Sequence, residues 1–382
     1  MTSRIHWSVV VLCVLSADVR AEMLLNAQGN QLDKYSLSAA LAGLTRETVI
    51  PSAGAGGRDI NAQICRVRQA NGAVRFVAGE DTAQGEGEAQ GWGLFDPTGT
   101  AASPPELAHD FGWPQTGKIS PPYNFTNPPN DHQPEMTGCA VSADGSKLFL
   151  VDLGQQGLGQ QDGQGAGSLF LVERDTDGDF SGIEKPLADR SPICVIDDGL
   201  TTAGYMAMDG EDILVPESGR LPDDELRGGV VSRFVADGSA PCGYRKDVPL
   251  IRDLFVRMFL PLSVARRDTR GLVAPGEKRW LVSQVAPLGT VNEYDANGEF
   301  VRLIVPPGKY NPAGIAVGSD GTMYFADLGL RPDPESIFTP GDDLGALYSV
   351  RFDPGTDAPL APLLVQPFLD FPEGMGIFPA IP

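Results

Sequence analysis

From Asp175 to Glu184 the chain reads DTDGDFSGIE, which places Asp175, Asp177 and Asp179 at the i, i+2, i+4 spacing of a Ca²⁺-wrapping loop. Phe180 stands where an EF-hand loop has its sixth-position glycine, and Pro186 where it has the bidentate glutamate. The expectation is a degenerate Ca²⁺ site on an outer loop, with an acidic turn as the alternative. A second group of oxygen ligands is spread over four short segments, DHQPEMTG (131–138), DDGLTTAG (197–204), KYNPAG (309–314) and LDFPEG (369–374). These hold Asp131, His132, Glu135, Asp197, Asp198, Asn311, Asp370 and Glu373. Carboxylates and an amide oxygen meeting at one point hold a hard cation. Such an ion polarises an ester carbonyl and lowers the pKa of a bound water, whose proton a neighbouring base accepts. Any of these oxygens is a candidate ligand, and the candidate base is His132 beside Asp131. The alternative is that these groups cap strand ends and line a wet channel.

A repeated phrase would bring them together. GCAVSADGSKLFLVDLG begins at Gly138, and GIAVGSDGTMYFADLG follows 176 residues later at Gly314. Each is an apolar run, an Asp-Gly break and a second apolar run ending in an acid, the pattern of a tight β-hairpin whose glycine takes positive φ. Further strands open with glycine at GSLFLVERDTDG (167–178) and GALYSVRFDPG (345–355). Looser copies start at Gly204 and Lys278, an outer hairpin surrounds Asn71-Gly72, and FPEGMGIFPAIP reads as one inner strand. Repetition of one short-strand unit with abundant turns predicts an all-β fold, a six-bladed β-propeller with four-stranded antiparallel blades. The C-terminal strand is expected to close a blade begun by the N-terminal segment, and two packed sandwiches are the alternative. A helix is expected only around KYSLSAALAGLT (34–45).

Residues 1–21 carry Arg4, an apolar stretch from Trp7 to Ala17 and a Val19-Arg20-Ala21 site, a secretory signal pattern, leaving 22–382 as a single domain. The protein is expected to be secreted or periplasmic, with no membrane span. Cys65, Cys139, Cys194 and Cys242 permit two disulfides with three connectivities, and a free buried Cys139 is the alternative. A formal charge of -21 argues against nucleic acid as a partner, because phosphate binding needs clustered cations. No Gly-x-Ser-x-Gly elbow, phosphate-binding glycine loop or paired-His zinc motif is present.

The two best phrases resemble the blade signature of the gluconolactonase/SMP-30 and NHL-repeat group of six-bladed propellers. That resemblance implies a lactonase holding a divalent metal through a Glu, an Asn and an Asp just before inner-strand glycines. Glu373 matches the Glu, while Thr137 and Ala313 stand at the Asn and Asp positions, so Asn311 and Glu135 would have to substitute. NHL-type propellers imply the other reading, a noncatalytic scaffold for a small ligand or a protein or glycan partner. LFLVERDTDGDFSGIEKPLAD (169–189) also resembles quinone-dependent sugar dehydrogenase propellers, which would imply pyrroloquinoline quinone.

Overall fold

The computed structural model describes residues 22–28, 31–37, 44–50, 62–80, 91–95, 107–110, 136–152, 167–182, 185–218, 229–253, 257–270, 275–285, 289–332, 338–339 and 344–379. The candidate signal segment, Asp131, His132, Glu135 and residues 153–166 lie outside them.

The described chain forms a β-propeller of antiparallel sheets, each presenting an inner strand to the ring. Blade 1 has the order Pro372–Pro379, Glu22–Gln28, Gln31–Leu37, Arg46–Ile50, so the C-terminal strand is innermost and closes a blade begun by the N-terminal segment. Blade 2 comprises Cys65–Arg68, Val74–Glu80, Gly91–Phe95 and Leu107–Asp110, and blade 3 comprises Met136–Val141, Lys147–Asp152, Gly167–Glu173 and Ile193–Leu200. Blade 4 runs Ala207–Asp209, Asp212–Glu217, Val230–Ala236, Tyr244–Lys246, and Ile251–Arg252 adds a fifth strand against Val230–Ala236. Blade 5 comprises Pro261–Asp268, Lys278–Gln284, Thr290–Tyr294 and Phe300–Val305; blade 6 comprises Pro312–Val317, Met323–Asp327, Gly345–Val350 and Leu363–Leu369. The expected set of six four-stranded blades is thus corrected. Five blades have four strands and the remaining sheet has five, while Arg331–Pro332 and Phe338–Thr339 form a separate two-stranded sheet.

Two local expectations also change. Lys34–Leu37 end a strand of blade 1 and are not helical, because pairing with Glu22–Leu25, Tyr35 opposite Leu24, places Tyr35 in the core. The hairpin around Asn71-Gly72 joins the inner two strands of blade 2, not the outer two. Tertiary pairing overrides local propensity in the first case.

The repeated phrase has two physical causes. Its Asp-Gly pairs are turns: Gly145 and Gly321 take φ of 71° and 82°, and the Asp144 and Asp320 carboxylates accept the N–H of Ser146 and Thr322. Its leading glycine is required by blade-to-blade contact. A Cβ on Gly138 would strike the carbonyl of Gly204, one on Gly204 that of Leu262, one on Gly314 that of Glu373, and one on Gly374 that of Ala62. Backbone bonds also cross seams, Tyr205 N to Leu262 O at 2.6 Å between blades 4 and 5 and Gln63 N to Thr137 O at 2.8 Å between blades 2 and 3.

Apolar clusters fill the wedges between blades. Phe149, Ile213, Phe234 and Tyr244 pack between blades 3 and 4, and Leu281, Val291, Met323 and Phe325 between blades 5 and 6. The four cysteines among the described residues are paired. Cys65–Cys139 joins the inner strands of blades 2 and 3, and Cys194–Cys242 ties the outer strand of blade 3 to blade 4. Closing loops of 74 and 48 residues restricts the unfolded chain, about 4 kcal/mol each on the chain-entropy account.

Candidate functional site at the strand-start face

The inner strands begin on the face opposite the Asp-Gly turns, and the second strand of each blade ends there. Its terminal residue is an acid or an amide in every blade: Gln28, Glu80, Asp152, Glu217, Gln284 and Asp327. In four blades this side chain has a visible duty. The Gln28 amide oxygen accepts the N–H of Asp370 at 3.1 Å, Glu217 that of Thr201 at 2.9 Å, Gln284 that of Phe259 at 2.6 Å and Asp327 that of Asn311 at 2.8 Å. Each donor belongs to the chain entering the inner strand of the same blade. Blade entry leaves backbone donors without ladder partners, and buried donors must be satisfied. The second-strand oxygen supplies the partner, so each acid or amide clamps the incoming chain to its own blade.

Asp327 differs from the others in its surroundings. Glu217 also pairs with Lys246 at 2.8 Å and with the Ser232 hydroxyl. Asp327 accepts only the N–H groups of Asn311 and Gly329 among the described residues. Burial pushes its carboxyl up, and these two hydrogen bonds only partly offset that shift. Phe325 and Tyr348 stack nearby, 5.2 Å apart, with the Tyr310 ring edge-on to both, and Asp327 contributes to the raised pKa of Tyr348 after burial itself.

The sequence candidates separate on this frame. Asn311 reaches the clamp, but its side-chain amide donates to Val285 O at 3.3 Å. Glu373 starts the inner strand of blade 1, half-buried, with its carbonyl against Gly314 of blade 6. Asp197 and Asp198 sit in the outer strand of blade 3, away from the inner-strand starts, and Asp370 is held through its backbone by Gln28. Asp131, His132 and Glu135 fall outside the described residues.

The Asp175 loop is organised around a lysine. The Asp175 carboxylate accepts the N–H of Asp177 at 2.9 Å and of Asp179 at 3.0 Å, the Ser181 hydroxyl at 2.5 Å and Lys185 Nζ at 2.6 Å. Lys185 also reaches Asp177 at 2.7 Å, while Asp179 turns to accept the N–H of Ala70 in blade 2 at 2.6 Å. The Lys185 ammonium bridges two of the three carboxylates, and the third fastens a neighbouring blade. Burial raises the Asp175 carboxyl, but hydrogen bonds from Lys185, Ser181 and the two N–H groups outweigh it and bring it to about 2.

A pH signature follows from that depressed carboxyl. Its contribution is present above the ordinary value of 3.8 and is lost as pH falls toward about 2. Asp175→Asn is expected to melt earlier than wild type at neutral pH and to converge with it near pH 2, measured by thermal denaturation across that range. A difference that persists unchanged at the acid end would remove the ionic account.

Gln63 is a further residue that no sequence motif marks. Its side-chain oxygen accepts from Cys139 N at 3.1 Å and Met206 N at 2.9 Å, and its nitrogen donates to Met206 O at 2.9 Å, linking blade 2 to blade 4 past blade 3.

The ring of sheets defines the class as an all-β propeller. No protein family and no curated protein matches the sequence significantly. Among solved structures, the chain is similar to a protein of unknown function from Bacteroides caccae (TM-score 0.46, 10% identity, covering 94% of this chain and 99% of that one). It is also similar to a Mycobacterium tuberculosis puromycin-hydrolyzing peptidase (0.39, 12% identity, 92% of this chain and 54% of that one) and to the Dos1 propeller (0.35, 9% identity, 79% and 62%). The chain spans about half the length of the peptidase, and likenesses at these scores bear on neither substrate nor activity.

Proposed function

We propose that the protein is an exported β-propeller that binds a ligand or partner on one face of its ring and does not hydrolyse an ester at its channel. The observation that carries this reading is the use made of the polar groups at the strand-start face. Gln28, Glu217, Gln284 and Asp327 hold the incoming chain of their own blades, and the Asn311 amide holds Val285. The four acceptor oxygens engaged in this way have fewer lone pairs to offer a Ca²⁺ ion, while Asn311 engages its amide nitrogen and keeps its oxygen. Two disulfides support an oxidising compartment, as does the signal pattern at residues 1–21.

One observation favours a second reading, a Ca²⁺-dependent lactonase. Asp327 is a buried carboxylate with no cation beside it among the described residues, next to Asn311 and one inner strand from Glu373. In that reading a metal at Glu373, Asn311 and Glu135 would polarise the ester, and His132 with Asp131 would accept the proton of the attacking water.

Metal content, calcium calorimetry and lactone turnover on wild type, Glu373→Gln and Asp177→Asn separate the two. The binding reading expects no channel ion and no metal-dependent turnover. A stoichiometric ion lost only in Glu373→Gln, together with turnover, would replace it by the lactonase; an ion lost only in Asp177→Asn would be structural and leave it standing.

A further inference from the structure

Among the described residues, the face carrying the Asp-Gly turns has a cleft between blades 2 and 3 and another between blades 5 and 6, and both are lined by arginines. They differ in how that charge is balanced. Between blades 5 and 6, the lining Arg267 is neutralised within the wall by Glu293 and Asp357, which leaves Arg270 and Arg351 with Asp320 at the cleft surface. The cleft between blades 2 and 3 has a volume of about 580 Å³ and is lined by Arg66, Arg68 and Arg174 with a single carboxylate, Asp144.

That carboxylate is already engaged. Asp144 accepts the Ser142 hydroxyl at 2.6 Å and the Ser146 N–H at 2.9 Å, and these bonds with the Ser146 hydroxyl bring its pKa to about 2. Arg174 is fixed by the carbonyls of Gly178, Arg68 and Gly145 and by the Phe180 ring, 4.6 Å from its guanidinium carbon. Carbonyl acceptors leave its full charge in place. Arg68 donates to Gly72 O at 3.3 Å, and Arg66 stands half-buried two residues before it on the inner strand. Neither has a carboxylate partner among the described residues. Burial first, and then the charge of Arg68, push the Arg66 guanidinium down, the direction expected of a desolvated cation beside another.

An excess of guanidinium charge held in a cleft, on a chain of formal charge -21, is a feature that an oxyanion would relieve. Planar guanidinium forks match carboxylate and phosphate oxygens two at a time. We propose that the cleft between blades 2 and 3 binds a small multivalent oxyanion, a polycarboxylate or a phosphate, through Arg66 and Arg68, with Arg174 as a fixed charge behind them. This rests on the binding reading above and gives it a face and a ligand chemistry.

Calorimetric titration of the mature protein with citrate and, separately, inorganic phosphate tests it, at low salt and again at high salt. At least one probe is expected to bind, more weakly at high salt, and to lose at least tenfold in affinity in Arg66→Gln/Arg68→Gln while Arg245→Gln, on blade 4, binds as wild type. Binding of citrate alone assigns a carboxylate ligand, and of phosphate alone a phosphorylated one. Arg66→Lys, which retains the charge and loses the fork, is expected to fall between, and serves if the double variant melts early. Binding of neither probe at millimolar concentration, or equal binding by both arginine variants and wild type, overturns the proposal. Metal content and lactone turnover of the same preparation keep that failure distinct from failure of the binding reading.

Discussion

Arg267→Met is expected to lower the unfolding free energy by about 3–5 kcal/mol, read by urea or thermal denaturation, because it leaves buried carboxylates without their main cation. The Arg267 side chain is 1% exposed, and it meets Glu293, fully buried, at 2.5 Å and Asp357, 9% exposed, at 2.7 Å. Burial works against its charge, but Asp357 and Glu293 outweigh that cost and raise its pKa. Phe352 covers the guanidinium from blade 6, its ring centroid 3.7 Å away. Arg302, on the outer strand of blade 5, reaches both carboxylates but cannot neutralise two of them. The cluster therefore crosses from blade 5 to blade 6, and its loss opens that seam. Arg267→Met/Glu293→Leu removes one charge of each sign and is expected to recover part of the loss, since an apolar pair of similar volume often replaces a buried ion pair at little cost. A single variant no less stable than the double one would show that packing, not charge, holds the seam.

Gly204→Ala is expected to destabilise by about 1–3 kcal/mol, a larger effect than one methyl usually has, because the added carbon has no side chain to displace. It would meet the Leu262 carbonyl, the same group that accepts the Tyr205 N–H at 2.6 Å across the seam between blades 4 and 5. The blades would have to part or that hydrogen bond would have to break. Gly210→Ala is the informative comparison. Its position has open space for a methyl, so its cost is confined to the backbone, held at φ 67°. Equal melting of wild type and Gly204→Ala would refute the close approach of the two inner strands.

The repeated phrase made much of the architecture legible. Asp-Gly at 144–145 and 320–321 fixed the hairpins because few residue pairs suit those backbone angles, and the second copy implied a ring because a hairpin cannot bury its apolar face alone. The closing strand at Pro372–Pro379 was legible for the same reason, as an inner strand lacking the rest of its blade. The clamp was half visible, in the acid that ends VDLG and ADLG, but a sequence cannot say which N–H an oxygen will meet. Asn311 and Asp327 are 16 residues apart and join only when the second strand of blade 6 returns to the start of the first. The Asp175 series shows the same limit: spacing alone suggested a metal loop, whereas folding brings Lys185 between Asp175 and Asp177 and turns Asp179 toward Ala70, 109 residues away in sequence. Local sequence determined what each short segment can be, because turn angles and strand alternation depend on neighbours. The balance of charge at each seam was decided by tertiary structure, because it depends on which distant groups share a region of low dielectric, as Arg267 does with Asp357, whereas Arg66 lines a cleft whose single carboxylate is Asp144.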